Sequence, residues 1–491
     1  MSTPPTEDTQ GPPTTHPAPG RSAAGPTHRG AVPLLRRLHF YAGVLVAPFI
    51  LVAAVTGGLY ALAPTVERVV YRDLLVVEPA GDPLPLTAQA AAARAAHPDL
   101  AMAGARPAAG PEDSTRVLFT DPALGEDVQR AVFVDPYTGR VLGDEPTWLG
   151  YLPVSTWLDG LHRHLNLGEP GRVYSELAAS WLWVVALGGL ALWWARRRSD
   201  RRRGRPGRLF TVDQAGRGRS RTLNWHGAVG VWILPMLLFL SATGITWSTY
   251  AGATVSELRA HFAWERPALT TTLTGPAPDG GGHPGHEAHG QQAGHGRQAG
   301  HDGGAPAEDG VDLDRVVAAA AAAGVAAPLE VTLPTQPGHA VGVTETDAPY
   351  RLTTDAAAID PVTGAVTSVV DYDRDYSMVA KLADWGIRMH MGFLFGWLNQ
   401  LLLFVVAAAL VTVVVRGYRM WWQRRPTRGS AWAVGRPPLR GVLRRTRPAV
   451  TAVVVLAALA VGWFLPVLGV SLVAFVVVDV ALGRVAALRT R

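Results

Sequence analysis

The sequence predicts a polytopic α-helical membrane protein. It has four core spans, a C-terminal hairpin and two small extracytoplasmic α+β domains, arranged as an internal duplication. Three observations predict this. Charged residues make up 17% of the 491-residue chain, against about 25% in an ordinary globular protein. The deficit sits in uncharged windows of about 20 residues, the length that crosses a bilayer core. Arginine-rich segments alternate with two long acidic segments, and the motifs of the first half recur in the second at fixed spacing.

The elements follow in order. Residues 1–30 are rich in Pro, Thr and Gly and read as a disordered tail. The first span (31–63) contains the uncharged run Leu38–Ala63. Its length, with Ala63-Pro64 as a poor cleavage site, favours a span over a signal peptide. Residues 64–160 form the first outer domain, and 161–195 the second span with the apolar run Leu177–Ala195. A basic loop covers 196–221. The third span (222–250) belongs to the run Trp225–Val255, and the second outer domain covers 251–385. The fourth span (386–416) holds Met391–Val415, and a second basic loop covers 417–447. The last apolar block, Ala449–Leu482, is broken at Trp463-Phe-Leu-Pro466. It predicts a hairpin at 448–483, crossing fully or re-entrant, before the tail 484–491.

Charge sets the orientation. Residues 196–221 hold 11 Arg against two Asp, and 416–447 hold 10 Arg and no acid. Segment 64–175 carries −6 and segment 251–389 carries −10. Basic loops stay in the cytoplasm, so both termini are predicted inside and both acidic segments outside a bacterial cell membrane. Lys381 is the only lysine. The arginine excess tracks topology and a coding bias, not nucleic-acid binding.

The duplication is explicit. His39-x3-Gly43-x4-Pro48-x7-Thr56-Gly57 returns as His226-x3-Gly230-x4-Pro235-x7-Thr243-Gly244. Each outer segment then has an Ala-rich helical run, Leu86–His97 or Val311–Ala327. Strand-like pieces follow: Arg116–Thr120 and Ala131–Val134 in the first, Glu330–Leu333 and Ala340–Thr344 in the second. Each closes with a turn, Asp135-Pro-Tyr-Thr-Gly139 or Asp360-Pro-Val-Thr-Gly364. His162-x5-Gly168 and His390-x5-Gly396 lead into the next spans. This alignment treats Glu169-Pro-Gly-Arg172 as an insertion in the first copy. Copies in the same orientation imply a pseudo-twofold axis along the membrane normal.

The absence of cysteine excludes disulfides, thiolate metal sites, iron–sulfur clusters and covalent c-type haem. The symmetry pairs His39 with His226 at the inner ends, and His162 with His390 at the outer ends. Ionisable residues at membrane depth are functional candidates. Two facing imidazoles can hold one planar metal cofactor, so two b-type haems are expected. His164 in Leu161-His-Arg-His-Leu165 competes with His162. Gly43 and Gly230 could make room for a macrocycle, or serve helix packing instead. Arg36, Arg37 and Arg221 could neutralise propionates or only anchor the inner face. Zinc is a rival, but no His-Glu-x-x-His occurs. The insert 275–310 holds His283, His286, His289, His295 and His301. It reads as a flexible linker or a weak transition-metal site.

The His-x3-Gly first span, the paired Asp-Pro-x-Thr-Gly segments, Leu161-His162 and Met389-His390 resemble the PepSY-associated transmembrane helix family over about residues 30–425. The resemblance implies PepSY-type outer domains at 64–160 and 251–385, and haem ligation by His39, His226, His162 and His390. It implies an iron-regulated inner-membrane oxidoreductase that reduces ferric siderophores. Its partners would be a ferric chelate outside and a cytoplasmic or membrane electron donor, a reductase or a quinol. No Gly-x-Gly-x-x-Gly follows a strand, so the chain has no nucleotide site of its own. The rival reading is a non-enzymatic sensor or scaffold whose outer domains bind a protease, peptide or signalling partner.

Overall fold

The computed structural model describes residues 32–125, 127–204, 209–212, 217–273, 310–424 and 448–488. The expected tail 1–30 and the insert histidines His283, His286, His289, His295 and His301 lie outside the described residues.

The chain opens with α1 (Val32–Leu45) and α2 (Ala47–Ala61), one apolar run bent by 58°. Pro48 explains the bend. It lacks an N–H, and its ring crowds the carbonyl four residues back. That carbonyl, of Val44, accepts a hydrogen bond from the Tyr418 hydroxyl at 2.9 Å. The short helices α3 (Ala63–Val70) and α4 (Arg72–Leu75) follow, then α5 (Leu86–Ala96). The strands β1 (Ala101–Arg106), β2 (Thr115–Thr120), β3 (Val128–Val134) and β4 (Val141–Trp148) form a meander. Helix α6 (Pro153–His164) leads into the long α7 (Glu169–Arg202).

The second half runs in the same order. Helix α8 (Gly218–Thr246) carries Pro235 without a break. Then come α9 (Tyr250–His261), α10 (Leu313–Ala322), and β5 (Leu329–Thr332), β6 (Val341–Glu345), β7 (Ala356–Ile359) and β8 (Val366–Val370). Helices α11 (Tyr372–Asp375), α12 (Met378–Met391) and α13 (Gly396–Trp422) follow. The hairpin is α14 (Pro448–Phe464) and α15 (Pro466–Leu488).

Helices α7, α8, α13 and Pro466–Val485 of α15 are long and apolar enough to cross a membrane, and the bent α1–α2 pair is apolar enough to be a broken span or a re-entrant loop. Helix α14 is shorter, at 17 residues. This is the architecture of a multi-pass membrane protein. Helix α15 docks on the first half: Arg37 forms an ion pair with Asp479, and Trp181 Nε1 donates to Ser471 Oγ at 2.9 Å.

The two outer segments do not form separate bodies. Their strands join in one antiparallel sheet of order β4-β3-β2-β1-β5-β6-β7-β8. The seam pairs Gly104 with Thr332 and Ala105 with Val331, and the Arg106–Glu330 ion pair extends it. One core serves both segments, with Ala93, Val117, Phe119 and Val132 packed with Val316, Ala320, Val331 and Ile359. Helices α5 and α10 contribute to this core, and Asp314 of α10 accepts from the Leu86 and Thr87 amides at the start of α5. That carboxylate satisfies N–H groups the helix cannot pair itself.

The two Asp-Pro-x-Thr-Gly turns fold as their composition dictates. Asp135 accepts from the Tyr137 amide at 2.9 Å, and Asp360 from the Val362 amide at 2.8 Å. Gly139 and Gly364 take φ of +70° and +73°, which glycine adopts without strain. The amides of Thr363 and Val362 hold the Asp360 carboxyl below the usual carboxylate range.

Candidate functional site

His39 lies on α1 and His226 on α8. Their ring centres are 6.4 Å apart, with the planes 77° from parallel. Nδ1 of His39 lies 3.0 Å from the Val185 carbonyl oxygen on α7, and Nδ1 of His226 lies 2.9 Å from that of Val413 on α13. A carbonyl can only accept, so both Nδ1 atoms carry the proton and donate it. Each Nε2 therefore keeps its lone pair. Glycines stand one turn beyond both carbonyls, Gly189 after Val185 and Gly417 after Val413, and the one at Gly189 makes the Val185 carbonyl reachable. A Cβ at Gly189 would come within 3.0 Å of His39 Cε1, and one at Gly417 within 3.7 Å of His226 Cε1.

At the sheet end, His162 of α6 and His390 of α12 have ring centres 6.3 Å apart, inclined by 45°. Their Nδ1 partners are hydroxyls. Thr56 Oγ1 is 3.0 Å from His162 Nδ1 and donates its own proton to the Val52 carbonyl at 2.9 Å. Thr243 Oγ1 is 2.5 Å from His390 Nδ1 and donates to the Phe239 carbonyl at 2.8 Å. A hydroxyl that spends its single proton on that carbonyl can only accept at the imidazole, so in this arrangement each ring donates from Nδ1. Nε2 again keeps its lone pair. Gly57 leaves the space beside His162, where a Cβ would stand 2.9 Å from Cε1. Trp247 meets His390 edge-on at 5.2 Å.

The structure thus brings the four histidines together as two pairs. His226 and Thr243 lie on the same helix, so the pairs are separated by about 25 Å at 1.5 Å rise per residue. His164 does not meet His390, and among the described residues its buried Nδ1 has no hydrogen-bond partner. The expected insertion Glu169–Arg172 is corrected here, since those residues are the first turn of α7. The 228-residue interval from His162 to His390 and from Gly168 to Gly396 continues unchanged to Val185 and Val413. Of the expected anionic-group partners, Arg37 is engaged by Asp479.

Thr56 and Thr243 belong to the repeated motif, yet sequence reasoning gave them no role. Their identical place in both copies was the available signal. Their histidine partners lie 106 and 147 residues away, beyond any local pattern.

The donor set discriminates among metals. Among the described residues no group of three or more His, Cys, Asp or Glu could hold a metal ion. Structural zinc takes four protein ligands and catalytic zinc three. Two imidazoles at this spacing suit a metal that brings its own equatorial donors, as haem iron does. Two metal–nitrogen bonds of about 2 Å, plus the reach to each ring centre, sum to roughly 6 Å. Cβ atoms at Gly43 and Gly230, one turn along from His39 and His226, would meet nothing within 4 Å. Open space therefore faces both glycines, and the residues present fit a macrocycle.

Near the His162–His390 pair lies a charged cluster in which only Asp384 and Arg388 are buried. Arg388 is 3.5 Å from Asp384 and 3.8 Å from Asp347, and Arg266 also pairs with Asp384. Glu67 accepts from the Ser155 amide at 2.8 Å. Burial pushes the Asp347 and Glu67 carboxyls up, and lowers the Arg116 guanidinium to about 10.

A family model described as the PepSY-associated TM region matches residues 36–424. The match takes in all four paired histidines and all eight strands, and ends before α14. Comparison with curated proteins gives no match.

Proposed function

Since the chain belongs to the PepSY-associated transmembrane family, we propose that it is a membrane b-haem electron-transfer protein that reduces ferric iron held in siderophores or similar chelates on the outer face, for iron acquisition. The observation that carries this reading is the pair of His–His contacts, 6.4 and 6.3 Å between ring centres, with Nδ1 of each ring held by a carbonyl or a hydroxyl oxygen. When bound, haem supplies one-electron chemistry at an iron held between two imidazoles.

The chain's own residues do the rest. His39 and His226 hold one group, and His162 and His390 the other. Val185, Val413, Thr56 and Thr243 fix the imidazole tautomers. Ala42, Ala54, Trp181, Leu237 and Val406 pack the surrounding apolar core and exclude water. No acid, base or nucleophile is required of the chain. Reduction weakens the hold of hard oxygen ligands on the iron substrate. The electron donor is a cytoplasmic or membrane reductase, or a quinol.

The matched His, Gly and carbonyl contacts support reading the halves as an internal duplication about an axis along the membrane normal. The two four-stranded meanders are then PepSY-like units. The alternation of arginine-rich and acidic segments supports a bacterial inner-membrane location with both termini cytoplasmic. A pyridine haemochromogen assay on well-incorporated protein should give two b haems per chain. A colourless protein would end the reductase reading and favour a sensor or scaffold.

A further inference from the structure

The two pairs differ in one respect that their sequence symmetry conceals. At His39 and His226 the Nδ1 acceptors are backbone carbonyls, while at His162 and His390 the group at Nδ1 is a threonine hydroxyl, with the Ala53 carbonyl also beside His162. An amide carbonyl is the stronger acceptor of the two. A stronger acceptor on Nδ1–H raises the basicity of the imidazole as a metal ligand. A more basic ligand favours the ferric over the ferrous state. An interior threonine often bonds back to the carbonyl one turn earlier for local reasons alone. Here each hydroxyl also receives an imidazole proton, Thr56 is buried, and the arrangement occurs at both Thr-Gly positions.

We propose that Thr56 and Thr243 are positioning residues. They orient the outer imidazoles and make them weaker donors than the inner pair, so that the outer haem has the more positive midpoint potential. This rests on the haem reading above. Neither threonine touches the cofactor, and each acts through its histidine. The gradient favours electron movement from the inner to the outer group, with the inner iron oxidised to ferric as the outer is reduced to ferrous. Gly57 belongs to the same device, because a side chain there would collide with the His162 ring where it meets the Thr56 hydroxyl.

The test is an optical and EPR redox titration of the full haem-loaded chain in detergent. Wild-type protein should show two midpoints, and the wave lost in His162→Ala should be the more positive. Thr56→Val and Thr243→Val remove the hydroxyl at nearly constant volume. Each should shift the outer midpoint further positive, alter the outer low-spin EPR signal and weaken outer-haem retention about tenfold. The inner wave should stay in place, and Thr56→Ser and Thr243→Ser should restore the outer one. If a valine variant does not accumulate, the matching alanine variant carries the same expectation, and the wild-type ordering stands as an independent check. The proposal is overturned if the outer wave is the more negative in wild type. It is equally overturned if the valine variants leave the outer wave and EPR signal unmoved, or if they disturb both haems alike. Wild-type protein without haem defeats the earlier reading, a result distinct from all of these.

Discussion

Gly104 of β1 runs so close to the carbonyl oxygen of Val331 on β5 that no Cβ fits between them. This contact lies at the seam where the two outer segments become one sheet. The register of β1 on β2 shifts between Met102 and Gly104, so the strand is kinked where it meets its distant partner.

Gly104→Val should therefore open the seam, at a cost of about 3 kcal/mol, as for other overpacked interior positions. Hydrogen exchange should show faster exchange in 101–106 and 329–333, with β2–β3 amides still protected. Wild-type protection across the seam in that variant would mean the close approach is not limiting.

The histidine pairing predicts which losses go together. His39→Ala and His226→Ala should each abolish the same haem, and His162→Ala and His390→Ala the other. His164→Ala should keep both. Difference spectra of the purified variants decide the matter, and a His164→Ala spectrum matching that of His390→Ala would replace His162 with His164.

Glu176 is 1% exposed and accepts from the Tyr250 and Ala251 amides, at 2.9 and 3.0 Å. Those amides open α9, where no turn of helix precedes them to pair them. Glu176→Ala leaves both unpaired and should destabilise the protein by about 3 kcal/mol. Glu176→Gln, which keeps one good acceptor, should recover part of that. Thermal unfolding in detergent measures both. An alanine variant melting with wild type would show that water or another group takes over.

Orientation is read from the arginines. Reporter fusions at Arg205 and Arg428 should report the cytoplasm, and those at Gly110 and Gly290 the outside. An outside signal at Arg205 would reverse the proposed electron path.

Deleting Gly280–Gly304 should leave both haem spectra and the reduction of a tight ferric chelate unchanged, because the first copy has no such insert. Only weak divalent-metal binding should fall. Loss of haem on deletion would place the insert in the active site.

What the sequence revealed followed from what repeats. The matched His-x3-Gly spacings located His39 and His226, the matched His-x5-Gly spacings located His162 and His390, and the Asp-Pro-x-Thr-Gly runs located two hairpin turns, because these signals are local. The joined sheet was not legible, since β1 and β5 pair across 226 residues through two short strands. The bend at Pro48 was equally hidden. Pro235 has the same motif and sits in an unbroken helix, and the difference lies with Tyr418, which satisfies the Val44 carbonyl from another helix. The roles of Thr56 and Thr243 required knowing which ring each hydroxyl faces.

The composite sheet also imposes a schedule on biogenesis. In the proposed orientation, when residues 86–148 emerge on the far side of the membrane, β1 is a raw edge and Val117, Phe119 and Val132 lack the Val316, Val331 and Ile359 that complete their packing. At about 5–20 residues per second, the stretch from residue 148 to the partner strand at Val331 takes roughly 10–35 s to synthesise. Throughout that interval the half-built sheet is open to proteases, to holding chaperones and to the same edge of a neighbouring nascent chain. Quality control in the receiving compartment, more than equilibrium stability, would then govern how much mature protein accumulates.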